Sequence, residues 1–263
     1  MAYLVHQARL FFIALQFFTR LPIPRWVGFE PGWLHHASRY FPLVGLVVAA
    51  VAALVYAAAA YAWPTPVAVL LSMAASIYLT GAFHEDGFAD MCDGFGGGMT
   101  RERVLEIMKD SRIGTYGAVG AGLLLALKFI LLSRLAPASV IAALLVAHPL
   151  SRLAAASLIW KLEYARDDGK AKPLAQEMSH AEFAIAAGCA VVPLALAGGA
   201  GYLGWPVIGA SVLAAFAMAA WIGRKCVRRI GGYTGDCLGA VQQLSEVVIY
   251  LCLLAGMEQG AWS

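Results

Sequence analysis

Three aspartates in the segment His84–Gly94 have a spacing that suits metal chemistry. Asp86, Asp90 and Asp93 stand at positions i, i+4 and i+7, which project from one face of a helix. Like charges on one face repel each other, so the spacing is unfavourable unless a cation lies among them. Carboxylate oxygens suit Mg²⁺ or Mn²⁺, which leave coordination positions for substrate phosphate. The segment therefore predicts a metal site, and a solvated acidic helix end is the alternative.

Other residues of the same segment could assist this chemistry. His84 stands next to the acidic positions, where it could act as a base or hydrogen-bond a phosphate. A histidine at the membrane boundary with no chemical role is the alternative. Gly87 and Gly94 would let a bulky ligand approach the backbone, since glycine has no side chain.

A segment rich in glycine and basic residues follows the acidic one. Arginine grips phosphate oxygens in a fork, and cations neutralise charge on a leaving group, so this composition beside a metal suits a pyrophosphate. The expected phosphate-binding residues are Gly96, Gly97, Arg101, Lys109 and Arg112. A glycine triplet alone more often marks a flexible loop, and Arg101 could serve membrane topology only. Asp110 is a further candidate for the metal or for substrate hydroxyls.

A third polar patch precedes and enters the last apolar stretch. Thr234 and Asp236 are candidate substrate contacts, although a carboxylate at Asp236 could instead complement a helix N-terminus. Glu246 lies within the apolar stretch, where an ionisable residue is a functional candidate by default. Three more polar residues within apolar stretches could pair with Glu246 or Asp236, and the sequence leaves the pairing open: Lys128, His148 and Arg152.

The composition of the chain indicates a membrane protein. The chain is 61% hydrophobic and 13% charged, whereas soluble domains are about 45–50% apolar and about 25% charged. Seven spans fit the sequence, at about 41–63, 65–82, 115–135, 138–160, 182–203, 205–222 and 236–258. We therefore expect an all-α, polytopic transmembrane helix bundle forming one domain over residues 1–263. An N-terminal helix over about residues 7–18 is expected to be amphipathic or re-entrant, with an ordinary core helix as the alternative.

The basic residues predict how the spans are oriented. Three proline-containing turns pair the spans into antiparallel hairpins, which brings the remaining polar segments to one face. Of the 19 basic residues, 16 lie in these segments, at 1–40, 83–114, 161–181 and 223–235. The positive-inside rule makes that face cytoplasmic. Because the basic residues are spread over several loops, nucleic acid is not an expected partner, whereas the lipid bilayer is.

Several motifs in this order resemble the adenosylcobinamide-GDP ribazoletransferase (cobalamin synthase) family. They are the stretches 16–24, 40–45, 84–98, 109–114, 148–152 and 232–240. The resemblance implies an integral protein of the bacterial inner membrane that needs Mg²⁺. It implies the last step of cobalamin nucleotide-loop assembly: adenosylcobinamide-GDP and α-ribazole, or α-ribazole 5′-phosphate, give adenosylcobalamin, or its 5′-phosphate, and GMP.

The physical reading of the residues fits this chemistry. A ribose hydroxyl would attack the phosphorus attached to the cobinamide arm, and Mg²⁺ on the pyrophosphate would stabilise the leaving GMP. Asp86, Asp90 and Asp93 are the expected Mg²⁺ ligands, and a carboxylate that holds no metal could take the hydroxyl proton. The sequence does not determine the general base, and it is compatible with a homo-oligomer.

Two other functions are less consistent with the motifs. A CDP-alcohol phosphotransferase that makes phospholipid predicts Ala-Arg after the first Asp-Gly, where this chain has Ala89 and Asp90. A cation transporter predicts carboxylates near the middle of opposed spans. Here the carboxylates collect in one boundary segment together with glycines and arginines, which favours the transferase.

Overall fold

The structure is a computed structural model that describes residues 2–165 and 177–258, and it is built from helices. No strand occurs in these ranges, which confirms the all-α prediction. The helices are α1 Ala2–Phe18, α2 Pro31–Ala37, α3 Phe41–Ala62, α4 Thr65–Thr80, α5 Phe83–Gly97, α6 Arg101–Ile107, α7 Thr115–Arg134, α8 Pro137–Lys161, α9 His180–Gly199, α10 Trp205–Ile230 and α11 Gly235–Glu258. Short 3₁₀ turns at Arg25–Val27 and Ser38–Tyr40 complete the described secondary structure.

Six helical segments of the described chain are long and apolar enough to cross a membrane, and there are seven if the bent pair α4–α5 is counted as one span. The predicted span at 65–82 is the broken one. Its helix α4 has 16 residues, and such a helix is about 24 Å long, short of the roughly 30 Å of a bilayer core. The chain then bends by 86° into α5. The acidic segment therefore begins at a corner in the chain.

The corner between α4 and α5 is made by two residues in the left-handed region. Gly81 has φ 65° and Ala82 has φ 59°, a conformation that glycine adopts readily and alanine rarely. Arg20 covers the corner: its backbone N–H donates to the Leu79 carbonyl at 2.9 Å, and its guanidinium lies over the Tyr78 ring. The motif at 16–24 thus packs against the start of the acidic helix.

Helix α8 forms the centre of the bundle and is the most deeply buried span. Its surface of small residues lets neighbouring helices approach closely. Helix α3 packs closely against α8 at Gly45. A Cβ built on Gly45 would lie 2.6 Å from the His148 carbonyl oxygen and 2.9 Å from Arg152 Cδ. The motifs at 40–45 and 148–152 therefore meet at one crossing.

The polar segments gather at one end of the bundle, as the hairpin arrangement predicts. Arg101 donates to the carbonyls of Ile230 and Ala165, each at 2.9 Å, and Arg39 forms an ion pair with Glu182. These contacts join the N-terminal segment, the segment after α5, and the ends of α8, α9 and α10. Three basic residues counted in the third polar segment lie outside the described residues: Arg166, Lys170 and Lys172.

Two helices extend further than the sequence predicts. Helix α10 continues through the basic residues expected in a loop and ends at Ile230, where Gly231 takes a positive φ of 80°. Helix α1 begins at Ala2 and buries one face, including Leu10 and Ala14, while Tyr3 remains exposed. The extension of α10 arises because long polar side chains such as Arg224 and Lys225 are compatible with a helix that projects beyond the apolar layer.

Candidate active site

The acidic segment is helical, as its spacing predicts, but its three aspartates differ in exposure. Helix α5 spans Phe83–Gly97. Asp86 is exposed, Asp90 is partly buried, and Asp93 is buried with 8% of its surface accessible. Accessibility to a ligand therefore falls along the helix from Asp86 to Asp93.

Asp93 caps the neighbouring helix α7. Its Oδ2 accepts the backbone N–H of Gly114 at 2.7 Å, and its Oδ1 accepts that of Gly117 at 2.8 Å. A carboxylate at this position satisfies two donors that have no partner inside the helix and complements the positive end of the helix dipole. Sequence reasoning assigned Asp93 to the metal and missed this role, because the capped backbone lies 21 residues away.

Asp86 and Asp90 fit a magnesium ion better than the full triplet does. Within residues 2–165 and 177–258, no three His, Cys, Asp or Glu side chains form a group that could hold a metal. Mg²⁺, however, is usually held through one or two carboxylates together with substrate phosphate and water. Asp86 and Asp90, one turn apart, offer that donor set. The backbone of Asp236 adjoins α5 at Gly87, where a Cβ would lie 3.1 Å from Asp236 Cα.

The expectation that Gly87 and Gly94 leave backbone open to a ligand is wrong. Gly87 packs against α11, where a Cβ would lie 3.6 Å from Gly239 Cα, and Gly94 packs against the Met108 side chain. These glycines allow helices to approach α5 rather than a ligand.

The two glycines expected to bind phosphate in a loop lie instead in the last turn of α5. Tyr116 covers Gly96, because a Cβ there would lie 2.6 Å from the ring. Gly97 lies near Ile107, whose Cδ1 would be 3.5 Å from such a Cβ. Gly98 ends the helix. The glycine run therefore forms the end of a helix, in which Tyr116 fills the space beside Gly96, while Gly96 and Gly97 remain exposed.

The basic candidates divide into one structural arginine and one exposed group. Arg101 is held by the two carbonyl bonds described above, which tie α6 to α10. Arg112 Nη2 donates to Asp110 Oδ2 at 2.7 Å, and Arg112 Nε donates to both oxygens of that carboxylate. These side-chain hydrogen bonds lower the pKa of Asp110 to about 2, so the carboxylate is ionised at neutral pH. Lys109 is exposed beside this pair.

His84 and Thr234 are buried rather than open to solvent. The His84 ring stacks on Phe18 with an interplanar angle of 14°. Thr234 is completely buried, and its hydroxyl donates to Asp236 Oδ2 at 3.2 Å. Both side chains therefore pack inside the bundle, where α5 and α11 meet, and neither is open to solvent.

Glu246 is the centre of a buried ionic network, which resolves the pairing that the sequence left open. Lys128 Nζ lies 2.6 Å from Glu246 Oε2, while His148 Nδ1 and Arg152 Nη1 lie 3.1 and 3.8 Å from Oε1. Glu246 has no accessible surface, so the structure does not place it where a phosphate could reach it. Desolvated charges of this kind need partners, and two spans, α7 and α8, supply them to Glu246.

Two amides of α11 complete the network, and sequence reasoning missed them. Gln242 donates to Glu246 Oε1. Gln243 accepts a hydrogen bond from Lys128 at 3.0 Å and donates one to Glu85 at 2.8 Å. Two adjacent amides in an apolar stretch, one turn before Glu246, could have indicated this role, because amides within membrane spans hydrogen-bond to neighbouring helices.

Comparison with known proteins assigns the chain to a family. A family model described as cobalamin-5-phosphate synthase matches residues 10–254. The chain belongs to this family. It is 51% identical over 262 residues to an adenosylcobinamide-GDP ribazoletransferase of Leptothrix cholodnii, covering 98% of this chain and 99% of the relative. It is 46% identical over 260 residues to a protein of the same name from Vibrio cholerae, covering 98% and 97%. No solved structure matches the chain.

Family membership confirms the resemblance, and the motifs that carried it meet in space. Arg20 covers the corner that starts α5, and Gly45 packs against the backbone carbonyl of His148. Gly87 crosses Gly239, where a Cβ on Gly239 would lie 3.0 Å from the His84 carbonyl oxygen. The motifs at 16–24 and 232–240 therefore contact the acidic helix formed by the motif at 84–98, and the motifs at 40–45 and 148–152 contact each other.

Proposed function

We propose that the chain catalyses the reaction for which its relatives are named. It joins adenosylcobinamide-GDP and α-ribazole, or α-ribazole 5′-phosphate, to give adenosylcobalamin, or its 5′-phosphate, and GMP, a late step of cobalamin biosynthesis. The observation that carries the proposal is the placement of Asp86 and Asp90 one turn apart on a helix that many elements orient. This arrangement suits phosphoryl transfer, in which positioning and electrostatics supply most of the catalysis.

Asp86 and Asp90 would hold Mg²⁺, with substrate phosphate and water as the remaining ligands. When bound, the metal would neutralise charge on the pyrophosphate and on the departing GMP. Asp236, whose backbone adjoins Gly87, is a further candidate contact for the metal or for a substrate hydroxyl. Asp93 contributes by fixing the start of α7 beside this helix.

The remaining steps belong to side chains at the polar end of the bundle. The ribose hydroxyl oxygen forms a bond to the phosphorus on the cobinamide arm, and the bond from that phosphorus to GMP breaks. The hydroxyl proton passes to a carboxylate of α5. Lys109 and Arg112 bind the leaving phosphate, and Arg112 exchanges Asp110 for a phosphate oxygen, which an exposed pair allows at small cost.

The reaction takes place at the cytoplasmic side of a bacterial inner membrane in this proposal. The support is that 16 of 19 basic residues fall in four segments, whose described parts meet at one end of the bundle. Basic loops are retained on the cytoplasmic side, where nucleotide-activated substrates are made.

Release of GMP by the purified protein tests the proposed function. With adenosylcobinamide-GDP, α-ribazole 5′-phosphate and Mg²⁺, we expect equal amounts of GMP and corrinoid product, and no GMP after chelation. Asp86→Asn should abolish release, whereas Glu106→Gln, a change in an exposed pair on α6, should leave it unaltered. GMP release without ribazole would indicate a hydrolase, and absence of GMP would reject the proposal.

A further inference from the structure

A chain of hydrogen bonds runs from the first turn of the acidic helix into the centre of the bundle. Gln243 Nε2 donates to Glu85 Oε1 at 2.8 Å, and Lys128 Nζ donates to Gln243 Oε1 at 3.0 Å. Lys128 also donates to Glu246 at 2.6 Å. Gln243 and Lys128 are 2% and 7% exposed. The hydrogen bonds therefore join the partly buried Glu85 of α5 to the buried Gln243 of α11 and Lys128 of α7.

The amide of Gln243 has one orientation that satisfies both neighbours. A lysine ammonium only donates hydrogen bonds, and an ionised carboxylate only accepts them. Gln243 must therefore turn its oxygen towards Lys128 and its NH₂ towards Glu85. An apolar side chain of the same volume would leave both charged groups without this bond, which is costly in a buried site.

Gln243 supplies the only hydrogen bond to the Glu85 carboxylate among the residues that the structure describes. The second oxygen, Oε2, is buried and has no hydrogen-bond partner in those ranges. The orientation of Glu85 therefore depends on Gln243, and Glu85 directly precedes Asp86 in the first turn of α5.

The rotation of α5 about its own axis is not inherited from α4. The two helices meet at 86° through the Gly81–Ala82 corner, so contacts on the faces of α5 must fix its rotation. Near the end of α5, Asp93 contributes its two hydrogen bonds to α7. Near the start of α5, α11 contributes two contacts: the Gly87–Gly239 crossing and the Glu85–Gln243 hydrogen bond. Rotation about the axis would move Asp86 and Asp90 together, because both are carried by the same rigid helix.

We propose that Gln243 is a positioning residue for the reaction. Gln243 links Glu85 to the buried Lys128–Glu246 ion pair. Through this link it sets the direction in which Asp86 and Asp90 face the metal and the diphosphate. The inference rests on the function proposed above for those two aspartates. A polar network inside a membrane is expensive, and apolar packing would join the helices at lower cost. A network that fixes orientation explains why the polar residues are there.

Methionine substitutions at two adjacent glutamines provide a matched test. Gln243→Met removes the contact with α5. Gln242→Met removes a similarly buried amide that bonds to Glu246 and Ser151 and makes no hydrogen bond to α5. Binding of Mn²⁺ in the presence of adenosylcobinamide-GDP is measured by electron paramagnetic resonance. Gln243→Met should weaken it by about 10–100-fold, the usual loss when support of a metal ligand is removed, whereas Gln242→Met should retain it. Equal affinities in both variants would overturn the inference.

A reversed pair tests the inference in a variant that keeps its buried hydrogen bonds. In the double variant Glu85→Gln, Gln243→Glu, the carboxylate at position 243 accepts hydrogen bonds from Lys128 and from the amide at position 85. Gln243→Glu alone places two carboxylates in contact and should lower kcat with little change in KM. The double variant should recover kcat to within about 3-fold of the wild-type value, since coupled neighbours show non-additive effects. A folded double variant without recovery would overturn the positioning role.

The same measurements separate this inference from the proposed function. If Asp86→Asn binds Mn²⁺ as tightly as the wild-type protein, the proposed metal site is wrong. If Asp86→Asn loses Mn²⁺ and Gln243→Met does not, the metal site stands and only the positioning role is rejected.

Discussion

At the residue scale, the surroundings of each aspartate on α5 determine what its carboxylate can do. Asp86 is exposed and Asp90 lies one turn further on, whereas both oxygens of Asp93 accept backbone N–H groups of α7. Of three identical side chains at a regular spacing, one therefore caps a helix, and the other two carry the proposed metal site. The sequence shows the spacing, and only the fold shows which carboxylate meets a helix N-terminus.

Removal of the Asp93 carboxylate should primarily reduce stability. Asp93→Ala leaves the N–H groups of Gly114 and Gly117 without their acceptor, and loss of a capping side chain costs about 0.5–2 kcal/mol. Unfolding of the purified protein by a denaturing detergent, followed by circular dichroism, measures the change. Unaltered stability would show that the cap is dispensable and would return Asp93 to the list of metal ligands.

Arg112 should distinguish the two substrates. Arg112→Ala removes a charged donor from the diphosphate, and such hydrogen bonds are worth about 1.5–3 kcal/mol. We expect the KM for adenosylcobinamide-GDP to rise by about 10-fold or more, with a smaller change for the ribazole. Steady-state kinetics with each substrate varied in turn gives both constants. Equal increases would place Arg112 away from the GDP-bearing substrate.

At the element scale, glycines determine how closely the helices that carry the motifs can pack. Gly45 lies against α8, Gly87 and Gly239 form the crossing of α5 with α11, and Gly94 lies beneath Met108. In the sequence, Gly87 and Gly94 are consistent with backbone open to a ligand, whereas Gly45 and Gly239 lie within predicted spans. In the structure they are contact points, because the space of the missing side chain is filled by another element.

A methyl group at Gly45 should force α3 away from α8. Its Cβ would lie 2.6 Å from a backbone oxygen that cannot move independently, and overpacking of this kind costs about 1–3 kcal/mol. Gly209→Ala on α10 is the matched control, since a Cβ there meets nothing within 4 Å. The control should be neutral or stabilising by up to about 1 kcal/mol. Equal detergent stability of the two variants would contradict the close crossing.

At the scale of the whole molecule, the broken span and the hairpins bring the basic segments to one end. Ser111 lies in the exposed segment after α6, and Ala136 lies in the turn between α7 and α8. The α7 span separates the two positions, so they should face opposite sides of the membrane.

Labelling of single cysteines tests this orientation. In a chain whose native cysteines are replaced by alanine, Ser111→Cys should react with a membrane-impermeant maleimide only in inverted vesicles. Ala136→Cys should react only in intact spheroplasts. The opposite pattern would place the basic segments outside the cell and would reject the cytoplasmic active site.

The ordered motifs were enough to predict the family. Hydropathy was enough to predict the helices and the hairpin turns, because apolar runs and prolines determine those features locally. It could not predict the corner at Gly81 and Ala82, since a bend leaves the apolar pattern unbroken. The sequence placed Glu246 and three basic residues within apolar spans but could not pair them, because pairing depends on helix rotation. The helical contacts of Gly96 and the network role of Gln243 arise from residues distant in the chain.

The location of the divalent metal tests the account most directly. Mn²⁺ bound to the protein with adenosylcobinamide-GDP can be counted by electron paramagnetic resonance in the wild-type protein and in Asp86→Asn, Asp90→Asn and Asp110→Asn. We expect loss of the bound ion in the first two variants and retention in Asp110→Asn, whose carboxylate pairs with Arg112. Undiminished Mn²⁺ binding in both Asp86→Asn and Asp90→Asn would contradict this expectation.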